Sequence, residues 1–193
     1  MHIHTSFSPC SNINIHHLLK RAVEIGIEGI CITDHDTTAA KKVIVDSIDK
    51  YGICVIVGIE YTTSKGDFLI FGPVESLHSG MTIEEIFQWT NKEGGIAIPA
   101  HPFRKSRPVD INILPFFEVV ESSNGRNSAF ENNLCNEWIL NSGNNYRGIG
   151  GSDAHTLDEV GHIVTVFKNN IYNCEDLISE LHKNTFSPKI YLR

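Results

Sequence analysis

Seven side chains of the kinds that bind zinc, iron or manganese stand along this chain in the order His2, His4, His35, Glu60, His101, Asp153 and His155. Imidazoles and carboxylates are the nitrogen and oxygen donors those cations prefer. Nearly all seven come just after a stretch that reads as a β-strand. Residues at the ends of successive strands of a β/α protein meet in space, however far apart they lie in sequence. The pattern predicts a multinuclear metal site. The chemistry such a site supplies is a hydroxide at neutral pH, because bound cations lower the pKa of water.

The local contexts differ in strength. His2-x-His4 leaves a strand, and side chains two apart on an extended chain share a face. Thr33-Asp34-His35-Asp36 follows an apolar strand. Gly58-Ile59-Glu60 ends another, and a carboxylate beside several histidines is suited to bridging two cations. Ala100-His101-Pro102 follows a further strand, where Pro102 removes a backbone donor and directs the chain outward. Gly150-Gly151-Ser152-Asp153-Ala154-His155 is the strongest single element. Its glycines permit a tight turn, and Asp-x-His again sets two donors on one face. Each element is ambiguous alone, so it is their joint occurrence that carries the reading. His16, His17, His78, His162 and His182 lack such a context and read as structural or surface residues.

The elements that must position these residues alternate strand and helix. Ile3 and its neighbours read as a short strand, and 15–24 as a helix stopped by Gly26. Strands are predicted at 29–33, 53–57 and 68–71. The last of these is expected to pair with 60–63 across the Ser64-Lys65-Gly66 turn. Thr38 is placed to cap a helix ending near Gly52. Thr82 with Glu85 forms a capping box for a helix running to Gly94-Gly95. Strands follow at 96–99 and 116–120, then a helix at 129–141 with Phe130, Leu134, Trp138 and Ile139 on one face. Strands at 147–150 and 162–167 precede a last helix, 174–183, capped by Asn173. Seven β/α-like units result, and parallel strands with crossover helices are their natural arrangement.

At 193 residues the chain is expected to form a single domain, 1–193, with a proper core. Its 41% apolar and 20% charged composition is that of a globular protein. A net charge of −7 argues against a long polynucleotide as partner and favours a small phosphorylated molecule. No apolar run is long enough to span a bilayer. The start, Met1-His2-Ile3-His4, does not read as a signal peptide. Five scattered cysteines without a CxxC argue against a disulfide framework and for a cytoplasmic setting.

Taken together, His2-Ile3-His4-Thr5 with Ser8, Ile32 to Thr37, Gly58-Ile59-Glu60, Ala100-His101-Pro102 and Gly150 to His155 resemble the polymerase and histidinol phosphatase (PHP) family of metal-dependent phosphoesterases. The resemblance covers almost the whole chain. It implies an α/β fold, a distorted (β/α)7 barrel, with two to three divalent ions (Zn, Mn or Fe) at the strand ends. It assigns His2, His4, Glu60 and Asp153 to one ion, makes Glu60 a bridge to a second ion bound by His101, and places His35 and His155 near a third. The chain also departs from the family pattern. Met1 stands where an Asp is usual. Pro9-Cys10 replaces an Asp or His, so the third ion loses a ligand unless Cys10 supplies one. Asp67 or Phe68 stands where a histidine is frequent, and Glu121 or Asn124 is the candidate for a further ligand.

The implied activity is hydrolysis of a phosphate ester, with Glu60, Asp153 and His155 at the reacting centre. Arg104, Lys105 and Arg126 are candidates to hold the rest of the substrate, with Arg107 beside them. Activity is expected to fall below about pH 6.5, since metal binding needs neutral imidazoles. Two other readings are an amidohydrolase-type barrel, although no lysine is placed to bridge two ions, and a degenerate barrel serving as a metal-binding scaffold.

Overall fold

The protein is described by a computed structural model covering residues 1–44, 51–143 and 146–191. Its first helix, α1 (Ile15–Glu24), buries Ile15, Leu18, Leu19 and Ala22, the spacing of one helical face. Asn14 caps it by accepting from the His16 N–H. Strand β1 (Gly29–Ile32) pairs in parallel with β2 (Cys54–Val57). Between them Ala39–Val43 forms a 3-10 turn, and Thr38 makes no side-chain cap there. The rest of the helix expected to end near Gly52 lies largely outside the described residues.

The hairpin of β3 (Ile59–Thr63) and β4 (Gly66–Phe71) forms as the sequence predicts, with Glu60 opposite Leu69. Gly66 turns it at φ +124°, and a Cβ there would sit 2.8 Å from Val109. Strand β5 (Ile96–Pro99) joins β4 antiparallel. The strands are therefore not uniformly parallel. A two-residue connection can only return the chain antiparallel, whereas parallel pairing needs a long crossover. Because β4 is buried on both faces it reads as one apolar run. Phe68 and Ile70 pack with Ile86, Trp89 and Leu114, whereas Leu69 and Phe71 pack with Ile98, Ile149 and Leu177.

Helix α2 (Ile83–Glu93) has the predicted Thr82–Glu85 capping box and ends on left-handed Gly94. Strand β6 (Val119–Asn124) begins three residues later than expected, because Leu114–Phe116 with Pro115 winds into a 3-10 turn. It pairs in parallel with β7 (Arg147–Gly151). Helix α3 (Ala129–Asn141) keeps part of the expected apolar face, since Leu134, Trp138 and Ile139 are half-buried and Trp138 packs on the core. Phe130, however, is 69% exposed, and only Cys135 is fully buried. The helix also turns Asn132 inward, where its side-chain amide bonds both the N–H and the C=O of Asn124.

Strand β8 (Ile163–Phe167) pairs antiparallel with an unforeseen β9 (Phe186–Ile190) after α4 (Cys174–Lys183), which Asn173 caps. Pro188 hides β9 in the sequence, since proline cannot donate to a ladder and is confined to edges. The architecture is thus mixed α/β. The described strands form four small sheets stitched by single bridges, Ile3 to Ala154 and His35 to Glu60, and they do not close into a barrel.

Glu180 ties α4 to its surroundings by accepting from Thr185, Asn169 Nδ2 (2.8 Å) and Lys183 Nζ (3.0 Å). Those bonds hold its carboxyl at about 2 instead of the ordinary 4.5. A depressed carboxylate stabilises the fold above its unfolded pKa and ceases to as pH falls through the folded one. The melting temperature of Glu180→Gln is expected to lie below wild type by a constant margin above about pH 5. That margin should close as pH approaches 2. Matched thermal melts across this range check it.

Candidate metal centre

The first residues of the chain meet the segment that follows β7 to build the centre. Ile3 bridges Ala154 in parallel, the Asp153 N–H donates to the His2 carbonyl (2.8 Å), and the His4 N–H donates to the Ala154 carbonyl (3.0 Å). On the other side the Thr33 N–H donates to the Ile3 carbonyl (2.9 Å). His-x-His and Asp-x-His thus lie side by side. Alternation along a strand is not what aims them. His2 and Asp153 sit at φ +61° and +52°, and His101 at +33°, in the left-handed region that non-glycine residues avoid. Such positions cost about 1–3 kcal/mol each and persist only where the surroundings over-determine them.

The side chains converge tightly. His2 Nε2 and His4 Nε2 are 3.1 Å apart. Glu60 Oε2 lies 3.3 and 3.1 Å from these nitrogens, and Asp153 Oδ1 lies 3.4 and 3.3 Å from them. Neighbouring ligands of one ion held at about 2.0–2.2 Å fall at about this spacing. Glu60 Oε2 is also 3.2 Å from His35 Nδ1, while its other oxygen, Oε1, is 3.0 Å from His101 Nε2. The carboxylate therefore faces two donor groups with different oxygens, as a bridging ligand does. Asp67 Oδ2, 3.9 Å from His101 Nε2, is buried without a hydrogen-bond partner. An orphaned buried acceptor is costly unless a cation or proton satisfies it. Both the spacing and the orphan fit bound divalent ions. All seven sequence-predicted ligands fall into three linked groups. These are His2, His4 and Asp153; His2, Glu60 and His101; and His4, His35 and His155 with Cys10.

Burial disfavours charge on all these groups, yet mutual attraction outweighs it at the centre. His2 is pushed well above its ordinary value by Glu121, Asp153 and Glu60, and His4 is raised through its contacts with Asp153 and Glu60. Against the same burial, His2 leads in holding Glu60 and Glu121 down. His2, His4 and Arg104 hold Asp153 far below the carboxylate range. At the edge of the group burial wins, and His35 and His155 are lowered. The carboxylates that favour charge on His2 and His4 are the groups a bound cation would neutralise.

Glu121 is the residue whose role the sequence did not reveal. It does not join the ligand groups. Its Oε1 accepts from His2 Nδ1 (2.9 Å) and its Oε2 from the His101 N–H (2.8 Å). A carboxylate on Nδ1 fixes the tautomer and turns the Nε2 lone pair to the centre. Gly151 makes room for it, since a Cβ there would overlap Glu121 Oε1 and sit 2.7 Å from the His2 Cβ. Asn124 Nδ2 donates to Glu121 Oε2 (3.0 Å). Asp34, beside His35, accepts from the Thr5 N–H (2.6 Å) and Oγ1 (2.7 Å).

A cavity of about 330 Å³ opens over the group. Arg104, Arg107 and Arg126 line it together with Ser106 and several of the ligands. Arg104 is held by Asp153 Oδ2 (2.7 Å), Asn124 Oδ1 (2.7 Å) and Asn127 Oδ1 (2.8 Å). Arg107 reaches Asp67 Oδ1 at 2.8 Å, while Arg126 lies 3.8 Å from Glu159. Lys105 does not line the cavity; it is exposed, and its backbone N–H bonds Glu131.

The sequence profile of the PHP domain matches residues 1–192. The chain belongs to the PHP domain family. This PHP domain is 30% identical over 113 residues to the uncharacterised protein MJ1587 of Methanocaldococcus jannaschii, a match spanning 53% of the chain and 66% of that protein. Its fold is similar to the crystal structure of PsfC from Pseudomonas syringae, with a TM-score of 0.76 at 18% identity over 98% of this chain and 89% of that one. It is also similar to a candidate metal-dependent phosphoesterase from Bifidobacterium adolescentis (0.67, 14%, 95% of both chains). An amidohydrolase from Chromobacterium violaceum, solved with sulfate bound, gives 0.61 at 16% identity over 80% and 86%.

The raised imidazoles give a test that needs no substrate. His2 and His4, with folded pKa values above the ordinary 6.5, stabilise the metal-free chain fully below that pH. This contribution is lost as pH rises through the raised values. The melting temperature of the metal-free protein is expected to decline from about pH 6.5 upward, and zinc is expected to abolish the decline while releasing protons. Calorimetry with and without the metal checks both.

Proposed function

We propose that this PHP domain is a metal-dependent hydrolase that cleaves phosphate esters of a small molecule, with two to three divalent ions (Zn, Mn or Fe) as cofactors. The observation that carries the proposal is the placement of three arginines around the cavity into which His35, Glu60, His101, Asp153 and His155 face. Membership of the PHP family and the likeness to the Bifidobacterium phosphoesterase support it.

In this reading His2, His4, Glu60 and Asp153 hold one ion, Glu60 and His101 a second, and His35 with His155 border a third. When bound, such ions generate a hydroxide from water and neutralise phosphoryl charge. The protein's own groups do the rest. Glu121 orients His2 through Nδ1, and the His155 Nδ1 contact to the Asp153 carbonyl (2.8 Å) leaves its Nε2 as the nitrogen free for a cation. Arg126 and Arg107 grip the non-reacting part of the substrate, and a guanidinium can hold a phosphate through two hydrogen bonds. Arg104, already bonded to Asp153, acts first as a positioning residue for that ligand. Among the described residues no lysine lines the cavity, which favours phosphate esters over the amidohydrolase reading.

No described helix is long and apolar enough to cross a membrane, and all five cysteines are free thiols. We propose a cytoplasmic setting, which the free thiols support.

Arg104→Ala and Arg126→Ala separate the two arginine roles. Arg104→Ala is expected to weaken metal binding by about 10–100-fold, because it strips a partner from a ligand carboxylate. Arg126→Ala is expected to raise KM on phosphate esters about 10-fold with metal content unchanged. Metal analysis with steady-state kinetics on a phosphate ester panel reads both. Unaltered metal binding and kinetics in both variants would remove the arginines from the site, and cleavage of amides alone would overturn the reading.

A further inference from the structure

Cys10 is exposed at the cavity, in the turn between His4 and α1. Its donor atom lies within 4.8 Å of those of His4, His35 and His155. The residues around it tie this turn to the same three histidines. Ser8 Oγ accepts from the His35 N–H (2.8 Å) and lies 3.4 Å from His4 Nδ1. Ser11 Oγ bonds the carbonyls of His4 (2.9 Å) and His155 (3.2 Å). The imidazoles converge as well, with ring centroids of His35 and His155 at 4.6 and 4.4 Å from that of His4. The thiol is thus fixed above a cluster of nitrogen donors by bonds on both sides of it.

Resting on the metal-dependent reading of the centre, we infer that Cys10 is a thiolate ligand of the third ion position, which makes that position different in kind from the first two. His4 Nε2 is committed to Glu60 and Asp153, at 3.1 and 3.3 Å, whereas His35 meets Glu60 and His155 meets the Asp153 carbonyl through Nδ1, which leaves each an Nε2 for another ion. The third position is left with His35, His155 and Cys10. Three protein ligands and an open place are the arrangement of a catalytic zinc site, in which the fourth place takes water or substrate. Thiolate selects soft or borderline ions such as zinc over magnesium and manganese, whereas the nitrogen and oxygen donors around Glu60 do not discriminate in that way. The coordinating thiol gives up its proton to solvent as the ion binds. Cys31 is buried in an apolar cluster and Cys135 against the Glu121 carbonyl, and neither they nor Cys54 and Cys174 join any group of donors among the described residues.

Cobalt(II) loading of the metal-free protein tests this, because a thiolate on cobalt gives a near-ultraviolet charge-transfer absorption that histidine and carboxylate do not. The expected result is a band that saturates at one thiolate-bound cobalt per chain. In Cys10→Ser it should be absent, with one ion fewer bound and the remainder retained. Cys10→Asp is expected to recover the missing ion without the band and to shift that position toward manganese. Zinc is also expected to protect one thiol from a disulfide reagent in the wild type and none in Cys10→Ser. Cobalt binding with no charge-transfer band, or an equal band in Cys10→Ser, overturns the assignment and leaves the rest of the centre standing. A wild type that takes up no ion at all overturns the centre along with it.

Discussion

The carboxylate of Glu60, buried among four imidazoles, is the constraint around which the rest of the structure is arranged. A carboxylate taken out of water is expensive unless it is paired, and so are Asp153 and Glu121 beside it. Protons on His2 and His4 would offset that cost, and the price of this solution is an assembly that must place each partner closely. The sheets around it are small, and single backbone bridges hold the ligand-bearing segments together. The left-handed backbone at His2, His101 and Asp153 is the local strain this convergence imposes. A divalent cation can take the place of the protons, and this links the energetics of the fold to the proposed chemistry.

Around the ligands runs a layer of polar side chains that touch the ligands rather than the centre. Glu121 holds His2 and the His101 backbone, Asn124 holds Glu121, and Asn132 of α3 holds Asn124. Arg104 joins this layer to Asp153. Asn132 gives α3 a polar contact with this layer beside its half-buried Leu134, Trp138 and Ile139. Its function in the fold is to brace a polar network, and a network of this kind is stable only when every member is satisfied.

The seven candidate ligands that the structure brings together were legible in the sequence because nearly all are scarce, chemistry-bearing types at the end of an apolar run. The β3–β4 hairpin was legible through Ser64-Lys65-Gly66, and α2 through its capping box. Glu121 was seen only as one of two candidate ligands, since its partner His2 is 119 residues away and nothing local marks the contact. The same holds for Ser8 and Ser11, whose hydroxyls connect the Cys10 turn to distant histidines. The antiparallel pairing of β5 with β4 was not legible, because a strand buried on both faces shows the same continuous apolar run in either direction. Strand β9 was concealed by Pro188, and the inward contact of Asn132 on α3 by the mild polarity of asparagine.

The account turns on cations occupying the space between His2, His4, Glu60 and Asp153. Anomalous diffraction from crystals grown with zinc or manganese measures this directly. The predicted result is a peak within about 2.0–2.2 Å of donor atoms from those four residues, with a second peak across Glu60 beside His101. A map with no peak there, or with ions only at surface carboxylates, would contradict it.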